Sequence, residues 1–176
     1  IDEFLGLAWH RDHGLPVVIA RFFNTVGPRQ VGTWGMVLPR FVQAAINDEP
    51  LLVYGTGEQT RCFCDVRDVV EVLPRFLADG NVFGSVINVG RDTVVSMSEL
   101  ASRVVEVLGS GSSIKKITYE EAYGRSIEDM IHRRPDISRL ESCFEFTPRY
   151  ELDQTILDLA DSIRRSSTEP DAGAGR

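Results

Sequence analysis

The chain has 176 residues, 43% of them apolar and 26% charged, which is enough for one domain with a real core. A net charge of −7 excludes proteins that coat nucleic acid, because neutralising phosphates needs a basic face. No apolar run approaches the roughly 18 residues of a membrane helix, and the opening residues Ile1, Asp2 and Glu3 lack the basic start of a secretory leader. A cytoplasmic protein is the expectation.

Residues 2–13 read as a helix, acidic at its start and basic at its end, with Gly14 as the natural stop. Ile1, Phe4, Leu5, Ala8 and Trp9, widened by Leu7, make an apolar face broad enough to predict burial on two sides. His10 and His13 read as solvated helix-end residues. The run PVVIARFF, 16–23, has the length and continuous apolarity of a buried parallel strand. It is the one segment that reads as a central strand, and its neighbours are not evident. A glycine-rich loop comes next, then a helix from Val37 to Ile46 with Pro39 in its first turn. PLLVYG, a GTGE turn and TRCFCDV read as a hairpin. Residues 66–78 read as helical, with Pro74 predicting a kink or an early stop.

SVINVG, 85–90, is a further strand. Ser96 and Glu99 form a capping box ahead of Met97, Leu100, Ala101, Val104, Val105 and Leu108 at helical spacing. IKKITY reads as a strand, Asp136 as the cap of a short helix carrying Ile137, Leu140 and Phe144, and Leu152–Ile163 as a last amphipathic helix. The tail from Ser166 has nothing to bury and is expected to be disordered, so that residues 1–165 form the folded part. Strands alternating with helices mean an α/β fold.

Three cysteines, Cys62, Cys64 and Cys143, give no disulfide framework and, with no Cys-x-x-Cys, no metal site; they read as small buried hydrophobes. Arginine outnumbers lysine 17 to two, which fits local anion sites and equally fits a bias in genomic base composition. GTG at 55–57 lacks the third glycine of a dinucleotide loop, since position 60 is Thr, and the residues after it are strand-like. None of Tyr54, Tyr119, Tyr123 and Tyr150 has a lysine four residues on. Asn24, at the end of the apolar strand, reads equally as a ligand group and as a residue that starts a turn.

RFFNTVGPRQ, GMVLPRFVQAAINDEPLLVYGTGEQTRCFCDVRDVV, SVINVG and RRPDISRL succeed one another in an order that resembles the extended short-chain dehydrogenases/reductases acting on nucleotide sugars. The resemblance covers residues 1–165. GMVLPRF, QTRCFCDV and EEAYG with the DM beyond it look most like the UDP-glucose 4-epimerase branch. UDP-glucuronate decarboxylases and dTDP-glucose 4,6-dehydratases are the alternatives, as is a non-catalytic module that binds nucleotide sugars.

The resemblance implies the carboxyl-terminal part of a Rossmann-like fold, with one late strand of the parallel sheet and the small substrate-binding lobe. It also implies NAD as cofactor, a UDP- or dTDP-sugar as ligand, and a homodimer through helix 2–13. By the same resemblance Asn24 and Arg61 would hold the diphosphate. Val37 would touch the pyrimidine through its backbone, Tyr54 would pack by the base, and Asp129 would accept from a ribose hydroxyl. Arg133 or Arg134 would approach the sugar, and Phe22 would lie by the nicotinamide. Met36 stands where some members place a polar Asn. For Arg61 the plain alternative is a surface salt bridge. The family's Tyr-x-x-x-Lys would precede residue 2 and is not among these residues, so no catalytic residue is assigned and the chain alone is expected to be inactive.

Overall fold

The computed structural model describes residues 1–32, 36–125 and 129–168. In chain order the elements are α1 (Asp2–His13), β1 (Val18–Phe22), β2 (Thr25–Val26), α2 (Val37–Ile46), β3 (Leu51–Tyr54), β4 (Thr60–Cys62), β5 (Cys64–Asp65), α3 (Val66–Ala78), β6 (Ser85–Val89), β7 (Val94–Ser96), α4 (Met97–Leu108), β8 (Ile114–Ile117), α5 (Tyr119–Tyr123), α6 (Ser138–Phe144) and α7 (Leu152–Thr168). The strands pair two by two. β1–β6, β2–β5 and β3–β8 are parallel, and β4–β7 is antiparallel.

Two apolar clusters organise these pieces. In the first, α2, α4 and α7 converge through Leu38, Phe41, Val42, Leu100, Val104, Ile156 and Leu159, and β3 adds Leu51 and Val53. In the second, α3 and α6 close over β6 through Val69, Val72, Phe76, Ile87, Val89, Leu140 and Phe144. The capping box forms as the sequence predicts. The Ser96 hydroxyl accepts from the Glu99 amide at 3.1 Å and the Glu99 carboxylate accepts from the Ser96 amide at 2.9 Å. Ser96→Ala is therefore expected to cost about 1 kcal/mol, read as a lower urea midpoint at unchanged slope. An unchanged midpoint would mean that the cap adds nothing to the packing of α4.

α3 and α7 are stapled by buried carboxylates. Asp65, 2% exposed, caps α3 by accepting from the Arg67 amide, grips the Arg67 guanidinium with both oxygens and accepts from Thr155 on α7. Burial alone would raise its pKa, but the hydrogen bonds from Arg67 and Thr155 outweigh that and hold it below the usual carboxylate range. Arg67 continues to Asp158 and stacks over the Tyr150 ring at 3.7 Å. Asp68, 3% exposed, accepts the backbone amides of Arg149 and Tyr150 where the chain enters α7.

Several sequence expectations need correction. β3 and β4 do not form a hairpin: β3 pairs with β8 and β4 with β7, although the GTG stretch does turn the chain between them. Gly55 and Gly57 both have left-handed φ, and a side chain at Gly57 would come 2.1 Å from the Ser98 hydroxyl. Pro74 does not stop α3, which runs on to Ala78. Pro74 sits on the exposed side, while Val72 and Phe76 remain anchored in the core on either side of it. β1 is not the single parallel strand, because β6 lies beside it, and it is half-buried at best, with Arg21 and Phe22 exposed. α1 is covered on one face only. Gly6 lies against Ile19 and Val17, while Ile1, Phe4, Leu5 and Trp9 face outward. His10 is not solvated: it is half-buried and its Nδ1 meets the Leu15 carbonyl at 2.6 Å. Cys62 and Cys64 are buried, but Cys143 is exposed. α7 is helical through Thr168, past the expected start of the tail, and the last eight residues lie outside the described part.

Candidate functional site

A cavity of about 630 Å³ opens where the end of β1, the start of α2, the β3–β4 turn, α5 and the segment Asp129–Arg133 meet. Phe22, Asn24, Val37, Tyr54, Arg61, Asp129 and Arg133, the residues singled out from the sequence, all line it. Arg134 does not: it pairs with Asp92 in a different depression.

Each side chain is placed by its element. Asn24 adopts left-handed backbone, φ 39°, a conformation that Asn tolerates better than most residues. Its side-chain amide donates to the Cys62 carbonyl at 2.7 Å, and the residue both turns the chain and lines the cavity. Val37 is the first residue of α2 and Met36 precedes it, both at the cavity wall. Arg133 lies with its guanidinium 5.2 Å from the centre of the Phe23 ring.

Arg61 stands on β4 with its side chain only 13% exposed, so it is not a surface residue. It does make a salt bridge, to Asp129 at 2.7 Å, and Nη1 donates to the carbonyls of Thr60 and Met130. A guanidinium has five N–H groups. Three are committed here, and among the described residues the Nε–H and one Nη2–H have no partner. Asp129 accepts from Arg61 with one oxygen and from the Tyr119 hydroxyl, at 2.8 Å, with the other.

Four lining residues carry no signal in the sequence reading. Arg40, one turn into α2, donates to the Tyr54 hydroxyl and lies 4.5 Å from the centre of its ring. Tyr119 and Tyr123 on α5 stack on each other at 6.5 Å and present their edges to Tyr54, at 6.3 and 5.4 Å. Gln59 joins the Tyr54 carbonyl to the Tyr119 hydroxyl. The Tyr119 phenol is pushed up to about 12, by burial first and then by its hydrogen bond to Asp129, so it is a hydroxyl donor at neutral pH. Thr118 and Glu121 form a second capping box, and it was the available clue that a helix here would project tyrosines.

Among the described residues the cavity thus holds three arginines, Arg40, Arg61 and Arg133, against one carboxylate, Asp129, on a chain of net charge −7. Aromatic and cationic groups share its wall, Arg40 against the Tyr54 ring and Arg61 joined through Asp129 to Tyr119. That arrangement suits a ligand with a planar ring and an anionic group.

Pairs of parallel strands flanked by helices, with a cleft beyond the end of β1, are compatible with one part of an open α/β fold. The chain belongs to the NAD dependent epimerase/dehydratase family, whose sequence profile matches residues 3–90. It is 39% identical over 152 residues to the UDP-N-acetyl-alpha-D-glucosaminuronate decarboxylase of Bacillus cytotoxicus, covering 86% of this chain and 47% of that protein. To UDP-glucuronic acid decarboxylase 3 of Arabidopsis thaliana it is 35% identical over 164 residues, covering 93% of this chain and 46% of that protein. The chain therefore spans about half the length of these relatives. In fold it is similar to the UDP-glucuronic acid 4-epimerase of Bacillus cereus in complex with UDP-glucuronic acid and NAD. The TM-score is 0.81 at 24% identity, over 93% of this chain and 50% of that one. The expected fold class, the late part of a Rossmann-like extended short-chain dehydrogenase/reductase, is the observed one. Among the described residues no helix is long and apolar enough to cross a membrane.

Proposed function

We propose that the chain is the nucleotide-sugar-binding part of an NAD-dependent enzyme that oxidises a UDP-sugar at C4 and works through the keto intermediate. The observation that carries the reading is one cavity lined by both a tyrosine cluster and three arginines. Tyr54 packs beside the uracil, Val37 and Met36 line the base through the start of α2, Arg61 and Asn24 take the diphosphate, and Arg133 approaches the sugar. Asp129 retains acceptor capacity beyond its two bonds and lies where a ribose hydroxyl could use it.

The residues present fit only one edge of NAD. Phe22, 48% exposed at the end of β1, offers a surface for the nicotinamide, but these residues contain no Gly-x-Gly-x-x-Gly to cradle a pyrophosphate. NAD supplies the hydride acceptor when bound. This chain's residues bind and orient the sugar nucleotide.

A C4 ketone has three outcomes: return of hydride to the other face, which is epimerisation, loss of a C6 carboxyl group as carbon dioxide, and loss of water across C5 and C6, which is dehydration. The motifs GMVLPRF and QTRCFCDV favour the first. The 35–39% identity to two UDP-uronate decarboxylases favours the second. The full-length polypeptide carrying these residues, given UDP-glucuronate and UDP-glucose in parallel, separates them by whether carbon dioxide or the C4 epimer appears.

Arg61 tests the site itself. Arg61→Ala is expected to weaken UDP binding by about 1.5–3 kcal/mol, the scale of a hydrogen bond to a charged group, and Arg61→Lys to recover only part because the fork is lost. Calorimetry showing unchanged UDP affinity in Arg61→Ala would refute the phosphate assignment.

A further inference from the structure

Beyond the residues assigned so far, the cavity contains a connection between its tyrosine cluster and Arg61. Tyr119 belongs to the cluster: its ring stacks on Tyr123, meets Tyr54 and rests on the β3–β4 turn, where a side chain at Gly55 would lie 2.9 Å from it. Its hydroxyl reaches the charged groups. It donates to Asp129 at 2.8 Å, and the other oxygen of Asp129 holds Arg61 at 2.7 Å. Arg61 in turn fastens the segment carrying Asp129 by donating to the Met130 carbonyl, and that segment runs along β4 through bonds between Thr60 and both Ile131 and Arg133. The result is a closed chain of contacts: aromatic ring, hydroxyl, carboxylate, guanidinium, strand.

We propose that Tyr119 is a positioning residue for the diphosphate: its hydroxyl, acting through Asp129, holds the Arg61 guanidinium at the cavity wall, where two of its N–H groups have no partner among the described residues. The inference rests on the UDP-sugar reading and deepens it. Physically, a carboxylate shared between a fixed phenol and a guanidinium restricts the arginine before the ligand arrives, so less side-chain freedom is lost on binding. The phenol ring is itself fixed by three aromatic or backbone neighbours, which makes it a rigid anchor for the relay. A nucleoside without phosphates would meet the same ring but gain nothing from the relay. A nucleoside diphosphate would gain from both.

The test is a double-mutant cycle in the full-length polypeptide, with UDP and uridine as probes and binding read by calorimetry or ligand-detected NMR. Tyr119→Phe keeps the ring and removes only the hydroxyl. It is expected to weaken UDP about tenfold and to leave uridine within about twofold, since a single oriented hydrogen-bond link is at stake. In an Arg61→Ala background the same substitution is expected to cost UDP almost nothing, because the group it positions is gone. Asp129→Asn should weaken UDP as Tyr119→Phe does. An equal loss for UDP and uridine, or the same loss with and without Arg61, overturns the proposal and leaves Tyr119 a base-packing residue. Failure of the unmodified protein to bind UDP at all overturns the functional reading and this inference with it.

Discussion

A polypeptide of residues 1–176, purified away from host enzymes and supplied with NAD, is expected to leave UDP-glucose, UDP-galactose, UDP-glucuronate and dTDP-glucose unchanged. The cavity is equipped to hold and orient. Among the described residues its titratable groups are arginines, one carboxylate already committed to Arg61 and Tyr119, and three tyrosines, of which Tyr119 has its pKa raised. Abstraction of a sugar hydroxyl proton needs a base poised near neutral pH, and a phenol pushed upward is the wrong direction for that role. Positioned general acid–base groups contribute about 10²–10⁴-fold, and the hydride chemistry belongs to the cofactor, for whose pyrophosphate these residues hold no Gly-x-Gly-x-x-Gly. Binding without those parts lowers no barrier, because substrate and transition state are held equally. The measurement is product formation followed by anion-exchange chromatography. Turnover that stays with the protein through two orthogonal purification steps would show that a base and a dinucleotide site exist within these residues.

Much of the site could be read from the sequence because its residues sit in ordered, locally constrained stretches. Asn24 follows the apolar strand β1, Tyr54 ends β3, Arg61 lies within β4, and all three reach one cavity. What could not be read was what each strand pairs with. PLLVYG, GTGE and TRCFCDV satisfy every local rule for a hairpin, yet β3 takes β8 and β4 takes β7, because partner choice is decided by burial of Leu51, Val53 and Cys62 in the assembled core. Tyr119 and Arg40 were hidden for a related reason. On their own helices they read as ordinary surface residues, and only the meeting of α2, β3 and α5 turns them toward the same space. Pro74 was misread in the opposite direction: a local rule for stopping a helix lost to anchors in the core on both sides.

The least covered part of the structure is its beginning. α1 has no buried residue, with Ile1 99% and Phe4 80% exposed, and Leu5 and Trp9 beside them. β1 has a strand partner on one edge among the described residues and is nowhere fully buried. By contrast, Leu38, Leu100, Ile156 and Leu159 are completely enclosed where α2, α4 and α7 meet. Burying one large apolar side chain is worth roughly 1.5–3 kcal/mol, and a typical domain is stable by about 5–15 kcal/mol, so four uncovered large side chains represent a substantial share of that total. We therefore expect a polypeptide of residues 1–176 to self-associate, and its amides at 1–30 to exchange with solvent well before those of α2, α4 and α7. Self-association through α1 is the form in which the homodimer expected from the sequence would appear. Replacing Phe4 and Leu5 together by Glu should raise the monomer fraction in sedimentation without lowering protection in α4, because neither side chain touches that core. A monodisperse monomer with β1 protected as strongly as α4 would show instead that this part of the chain is a self-sufficient domain, and would favour the non-catalytic binding module.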